Sequence, residues 1–160
     1  MKAVLFNLFL TVQFFSCAQV HHLTQKTIGT YTVQIPGNIA VDPSGNELTS
    51  RKIIAVIYME TSSKDLIVKN AQLDTSEYPI SQQQVNTLPY MAGINFKSNE
   101  KVIVNADKNN FLWRIELAPF QIKNDVKSQL DTITLKGTYQ GKSFEQKVAK
   151  WVELADIPTY

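Results

Sequence analysis

Asn105, Asp107, Asn109 and Glu116 carry the most specific spacing of oxygen-bearing side chains in the 160-residue sequence. With Leu112 between them, they fall at positions 1, 3, 5, 8 and 12 of a twelve-residue calcium loop. Calcium takes several oxygen ligands, and the last carboxylate of such a loop binds through both oxygens. Two positions depart from the pattern. Asn105 stands where Asp is usual, and Asn110 stands where the sharp bend wants Gly, although Asn tolerates the left-handed region better than most residues. The flanks favour a plainer reading, a polar turn between two strands. Phe111, Trp113, Ile115 and Leu117 fall on one face while Arg114 and Glu116 fall on the other, the period of two that a strand imposes. On that reading Val102–Leu117 is a hairpin turning at Asp107–Asn110, with Glu116 directed away from the apolar face. Asp42, Ser44, Asn46 and Glu47 form a second oxygen-rich turn, open to the same plainer reading.

Other chemistry is sparse. His21 and His22 are the only histidines. If cleavage left Gln19 first, His21 would be the third residue, and a free amine with a third-position His chelates Cu(II), a metal that imidazole suits. Cyclisation of the terminal Gln would remove that amine, and the expected state of this segment is a polar tail. With no His or Cys in the folded part, Ser-His-Asp and Cys-His nucleophile systems and a His-ligated zinc site are excluded there. No Gly-rich phosphate loop occurs. Glu60, Asp65, Asp74, Glu77 and Glu100 have no spacing that singles out a pair for acid–base work. The expectation is a non-enzymatic protein without a cofactor. Tyr78 and Tyr90 lie in the segment richest in turn residues and are the candidate ligand-binding aromatics, because such rings provide rigid contact area. Trp113, with Phe111 and Ile115 beside it, reads as core.

These residues need elements to place them. Thr30–Ile35 alternates, with Tyr31, Val33 and Ile35 on one face. Lys52–Glu60 is apolar on both faces, the mark of a central strand covered on each side. Leu66–Leu73 reads as a strand with Leu66 and Val68 on one face and Ile67, Ala71 and Leu73 on the other. Asp74–Ser98 reads as loops with short strands near Tyr78–Ser81 and Ile94–Phe96. The last hairpin is the clearest: Gln140-Gly141 is a two-residue turn candidate. It sets Tyr139 opposite Lys142, Lys136 opposite Glu145 and Ile133 opposite Val148. Ile133, Leu135, Phe144, Val148 and Val152 share its inner face. Trp151 is out of phase with them and predicts a bulge near Ala149-Lys150.

The first residues read as an export signal: Lys2, the apolar run Ala3–Phe15, too short to span a bilayer, then the small residues Ser16-Cys17-Ala18. Cleavage after Ala18 or Gln19 competes with a second route, in which Cys17 becomes the lipidated first residue of a bacterial lipoprotein. The expected division is a signal over 1–19, a tether over 20–28 and one domain over 29–160. Of 16 basic side chains Lys2 leaves with the signal, so 15 remain against 14 acidic ones. That balance makes nucleic acid a poor partner. Without a disulfide, the domain must be held by apolar burial and sheet hydrogen bonds.

Seven or eight strands at short intervals and no helical period predict an all-β chain, an antiparallel β-sandwich of immunoglobulin-like or transthyretin-like class; a closed barrel is the alternative. The expected role is that of an exported protein-interaction or accessory module of the periplasm or cell surface. Its partner would be another envelope or extracellular protein, and its membrane contact only a lipid on Cys17. The alternative is a carbohydrate or small-ligand binder.

Overall fold

A computed structural model of the chain describes residues 26–34, 43–45, 51–122 and 130–155, with Ile122 described in its backbone alone. Cys17, His21 and His22 lie outside these residues, as do Asp42, Asn46 and Glu47 of the second oxygen-rich turn. The described residues are all-β. They contain no helix and form twelve strands rather than seven or eight: β1 Thr27–Gln34, β2 Arg51–Thr61, β3 Leu66–Leu73, β4 Ser76–Tyr78, β5 Ile80–Val85, β6 Tyr90–Ile94, β7 Lys101–Val104, β8 Phe111–Leu117, β9 Phe120–Ile122, β10 Ile133–Tyr139, β11 Lys142–Val148 and β12 Trp151–Leu154.

Three sheets result. The largest runs β12-β1-β2-β8-β5, with β9 pairing the start of β2; a second runs β11-β10-β3-β4; β6 and β7 form a third. Pairing is antiparallel except at β1–β12, which is parallel. β2 sits in the middle of the first sheet because both its faces are apolar. Ile53, Ala55, Ile57 and Met59 join Tyr31, Ile115 and Leu117 against Leu66, Val68, Ala71, Ile133, Leu135, Phe144 and Val148 of the four-stranded sheet, one core shared by two sheets. Val56 and Tyr58, on the opposite face, join Leu112 under Val104 and the half-buried Tyr90 and Ala92 of the β6–β7 hairpin. Leaving one strand's worth of large apolar side chains exposed would cost about 1.5–3 kcal/mol each, which is why both faces are covered.

The final hairpin has the expected register, with Tyr139 opposite Lys142, Lys136 opposite Glu145 and Ile133 opposite Val148. Gln140 and Gly141 both take positive φ, at 49° and 73°, the primed turn that matches the twist of the flanking strands. Lys136 Nζ stands 3.8 Å from Glu145.

Four expectations are corrected. Val102–Leu117 is not a hairpin: β7 pairs β6, whereas β8 pairs β2 and β5. The alternation that marks a strand does not name its neighbour. Asp74–Ser98 is mostly strand, and the chain passes from the four-stranded to the six-stranded sheet at Pro79, between β4 and β5. A second passage lies at Ala149-Lys150. There Trp151 is out of phase because β12 has joined β1, not because one strand bulges, and Val152 thereby leaves the sheet of its supposed face-mates. The irregularity falls instead in β3, where Asn70 pairs Lys136 and Val68 pairs Gly137, leaving Lys69 extra. That shift returns Ala71 to the face of Leu66 and Val68 and leaves Ile67 exposed. Gly137 permits it, since a Cβ there would collide with the Ile67 carbonyl oxygen.

Candidate functional site

The residues with calcium-loop spacing are not gathered. Asn105 precedes the turn, Asp107 opens it and Asn109 is in it, with φ 73°. Glu116 lies well along β8, opposite Val56 and Ser81. At about 3.3 Å per residue, the five steps from Phe111 carry it some 17 Å up the strand. There its carboxylate meets Arg114 at 2.6 Å. The acid that serves the turn is Glu60, at the end of β2 and 3% exposed. Glu60 Oε1 accepts the Asp107 backbone N–H at 2.8 Å and the Asn110 side-chain amide. Lys26 Nζ lies 3.9 Å from Glu60 Oε2 and 2.9 Å from Asp107 Oδ1. The hydrogen bond to Asp107 and its charge raise the Lys26 pKa above its ordinary value. A buried carboxylate needs such partners, because leaving its hydrogen bonds unmade costs about 1–3 kcal/mol or more. The cluster thus ties β1, β2 and the β7–β8 connection together with an ammonium as its cation. Among the described residues no three His, Cys, Asp or Glu side chains stand where they could hold a metal ion.

The two candidate tyrosines are half-buried and packed. Tyr78 meets the Phe120 ring at a centroid separation of 5.1 Å, and Tyr90 meets Tyr58 at 5.6 Å. Tyr58 is buried opposite Arg114. Burial, then the neighbouring Tyr90, pushes its phenol up to about 12, with Arg114 acting in the other direction. Arg114 is itself held above its usual range: partial burial opposes its charge, but Glu116 and Tyr58 outweigh that. Trp113 donates its indole N–H to Thr61 Oγ1 at 2.8 Å and belongs to the core's margin, as its face-mates imply.

An edge strand or the Asp74–Ser98 segment is the surface expected of an interaction module, but two features there could not be placed from the sequence. The first is the outer side of the β6–β7 hairpin. Five large apolar side chains stand exposed among the described residues, and four of them lie between Leu88 and Ile103. Met91 and Ile103 face each other across the strand pair; Leu88 precedes β6, and Phe96, 63% exposed, follows it. The second is the edge formed by β5. Pro79 C=O accepts the Ala118 N–H at 2.8 Å, so Ser81, Gln83 and Val85 are the residues whose main chain addresses β8. The N–H and C=O groups of Ile80, Gln82 and Gln84 point the other way, where no described strand pairs them. Gln82's side-chain amide holds this edge in place, accepting the Val68 N–H and donating to Leu66 C=O, each at 2.9 Å. One signal could have found both features: no residue from Tyr78 to Phe96 is charged, in a chain that is 19% charged.

The sequence matches no protein-family model, no curated protein and no solved structure.

Proposed function

We propose that this chain is an exported β-sandwich of the immunoglobulin-like or transthyretin-like kind. It is non-enzymatic and works by binding another protein of the cell envelope or exterior. The observation that carries the reading is the exposed pair Met91 and Ile103, side by side on the β6–β7 hairpin, with Leu88 and Phe96 exposed beyond either end of β6. Exposed apolar side chains set side by side, as Met91 and Ile103 are across the strand pair, favour a protein contact, since each gains by leaving water. The sandwich rests on the core shared by the six- and four-stranded sheets. Export rests on Lys2, Ala3–Phe15 and the small residues after them. A glycan-binding face is less well supported, because Tyr78 and Tyr90 lean on other rings instead of lying open.

The test is a pull-down from the envelope fraction of the protein's own host, with the wild-type chain and a Met91→Lys/Ile103→Lys variant as baits. The wild type should retain one protein in near-equal amount, and the variant should lose it. Recovery of glycans alone, or equal recovery by both baits, would overturn the proposal.

A further inference from the structure

A different observation, the open edge of the six-stranded sheet, carries a second surface. We infer that β5 pairs antiparallel with β5 of a second copy of this chain, about a two-fold axis at Gln82. The free main-chain groups belong to alternate residues, Ile80, Gln82 and Gln84, and their complement is another strand offering the same alternation. Antiparallel pairing about Gln82 brings Ile80 of one copy opposite Gln84 of the other and Gln82 opposite Gln82. About six main-chain hydrogen bonds then close the edge. On the outward face Ser81 meets Gln83 of the second copy. No charge opposes a like charge anywhere along this contact, because β5 reads Ile-Ser-Gln-Gln-Gln-Val.

Edges of proteins that stay apart are commonly shielded by Lys, Pro, a bulge or extreme shortness. The six residues of β5 include no Lys and no Pro, and they pair β8 in unbroken register. Pro79 and Pro89 bracket the region, so the pairing cannot run on along the chain and the contact stays finite. A folded strand is also the cheaper occupant. An extended foreign peptide must be ordered as it binds, whereas each β5 is already fixed along its length by β8 and by the Gln82 amide on β3. One strand pair buries less than the roughly 1,600 Å² of a standard interface, so the dimer belongs to the weak, concentration-dependent class.

The experiment follows the mass of the purified chain by sedimentation from about 10 μM to 1 mM, the range in which weak complexes form, with amide exchange read in parallel. The mean mass should rise toward twofold, and the amides of Ile80, Gln82 and Gln84 should gain protection with concentration. Ser81 and Gln83 are exposed, so paired substitution leaves the fold intact, as an unchanged unfolding midpoint would verify. A Ser81→Lys/Gln83→Lys chain should stay monomeric, and so should Ser81→Glu/Gln83→Glu. Mixing the two should restore association, since this register sets each 81 against the other copy's 83. A chain that stays monomeric throughout overturns the inference. So does a dimer that both charge variants leave intact, or a foreign strand that protects these three amides while the chain remains monomeric. None of these results touches the hairpin contact, which Met91 and Ile103 test separately.

Discussion

On one face of the six-stranded sheet, Ile53, Ala55, Ile57 and Met59 of β2 meet Leu135, Phe144 and Val148 of a second sheet with an apolar face of its own. On the other face, Val56 and Tyr58 share their surroundings with Arg114, Glu116 and Glu60, beneath a hairpin of two short strands. The same strand supplies both faces, residue by residue. The difference lies in what arrives to cover them. A four-stranded partner excludes water over most of β2, and Ile53, Ala55, Ile57 and Met59 have no charged group among them. The hairpin covers a smaller area, so charged groups persist beside it, each held by a partner, and the hairpin's own outer side is left apolar and exposed. The well-sealed face therefore accounts for stability, and the partly sealed face borders the surfaces available for contact.

The largest effect that would break this contrast is expected at Phe144, 2% exposed on the inner face. Phe144→Ala should cost about 3–5 kcal/mol, from lost transfer energy and the cavity left behind. Urea unfolding would show it as a lower midpoint at an unchanged slope. A loss under about 1 kcal/mol would mean that the two sheets are not close-packed there.

Next in size is Glu60. Glu60→Ala leaves the Asp107 N–H and the Asn110 amide without their acceptor, a cost of about 1–3 kcal/mol. The loss should be local as well as global: the Asp107 amide should exchange faster while the amides of β10 keep their protection relative to global stability. If Asp107 stays as protected as before, the carboxylate does not anchor the β7–β8 connection, and the outer face owes less to its polar groups than the contrast states.

What could be read in advance divides along the same physical line. β2 and the β10–β11 hairpin were readable because their signals are local: two-faced apolarity for one, a two-residue turn and opposed Lys136 and Glu145 for the other. The core face of β8 was readable for the same reason. Partners distant in sequence were not. Nothing near Asp107 announces that Glu60, rather than Glu116, will reach its backbone. Nothing in the alternation of Phe111–Leu117 says that β7 will leave with β6. The passages at Pro79 and Ala149-Lys150 look like ordinary strand breaks until the second sheet is seen. The extra residue at Lys69 is set by Gly137 across the sheet, far along the chain. Of the surface features, the charge-free run from Tyr78 to Phe96 was visible but silent, because an uncharged stretch is equally compatible with a buried one until burial is known.

The smallest effect at neutral pH is the one that separates the faces most cleanly under alkali, because among the described residues each face holds one buried tyrosine. Tyr31, on the inner face, is pushed up to about 12 by burial first, then by the charge of Glu153, whose Oε2 accepts its hydroxyl at 3.2 Å. Tyr58, on the outer face, reaches about 12 by burial and Tyr90, with Arg114 opposing. In both, the folded value lies above the ordinary 10, so the folded chain keeps protons that the unfolded chain releases. Their stabilisation is therefore complete below pH 10 and is lost as pH rises through about 12. Lysines titrate in the same window, so the comparison is made between variants. Tyr31→Phe and Tyr58→Phe should each change stability little at pH 7 and each flatten the fall between pH 10 and 12. Arg114→Gln should steepen that fall through Tyr58 alone, because the charge that favours its phenolate is gone. Absorbance at 295 nm against pH, with unfolding midpoints at each pH, reads all three. If Arg114→Gln leaves the alkaline slope where it was, or moves the Tyr31 titration instead, the guanidinium does not act on Tyr58, and the outer face is no more electrostatically active than the inner one.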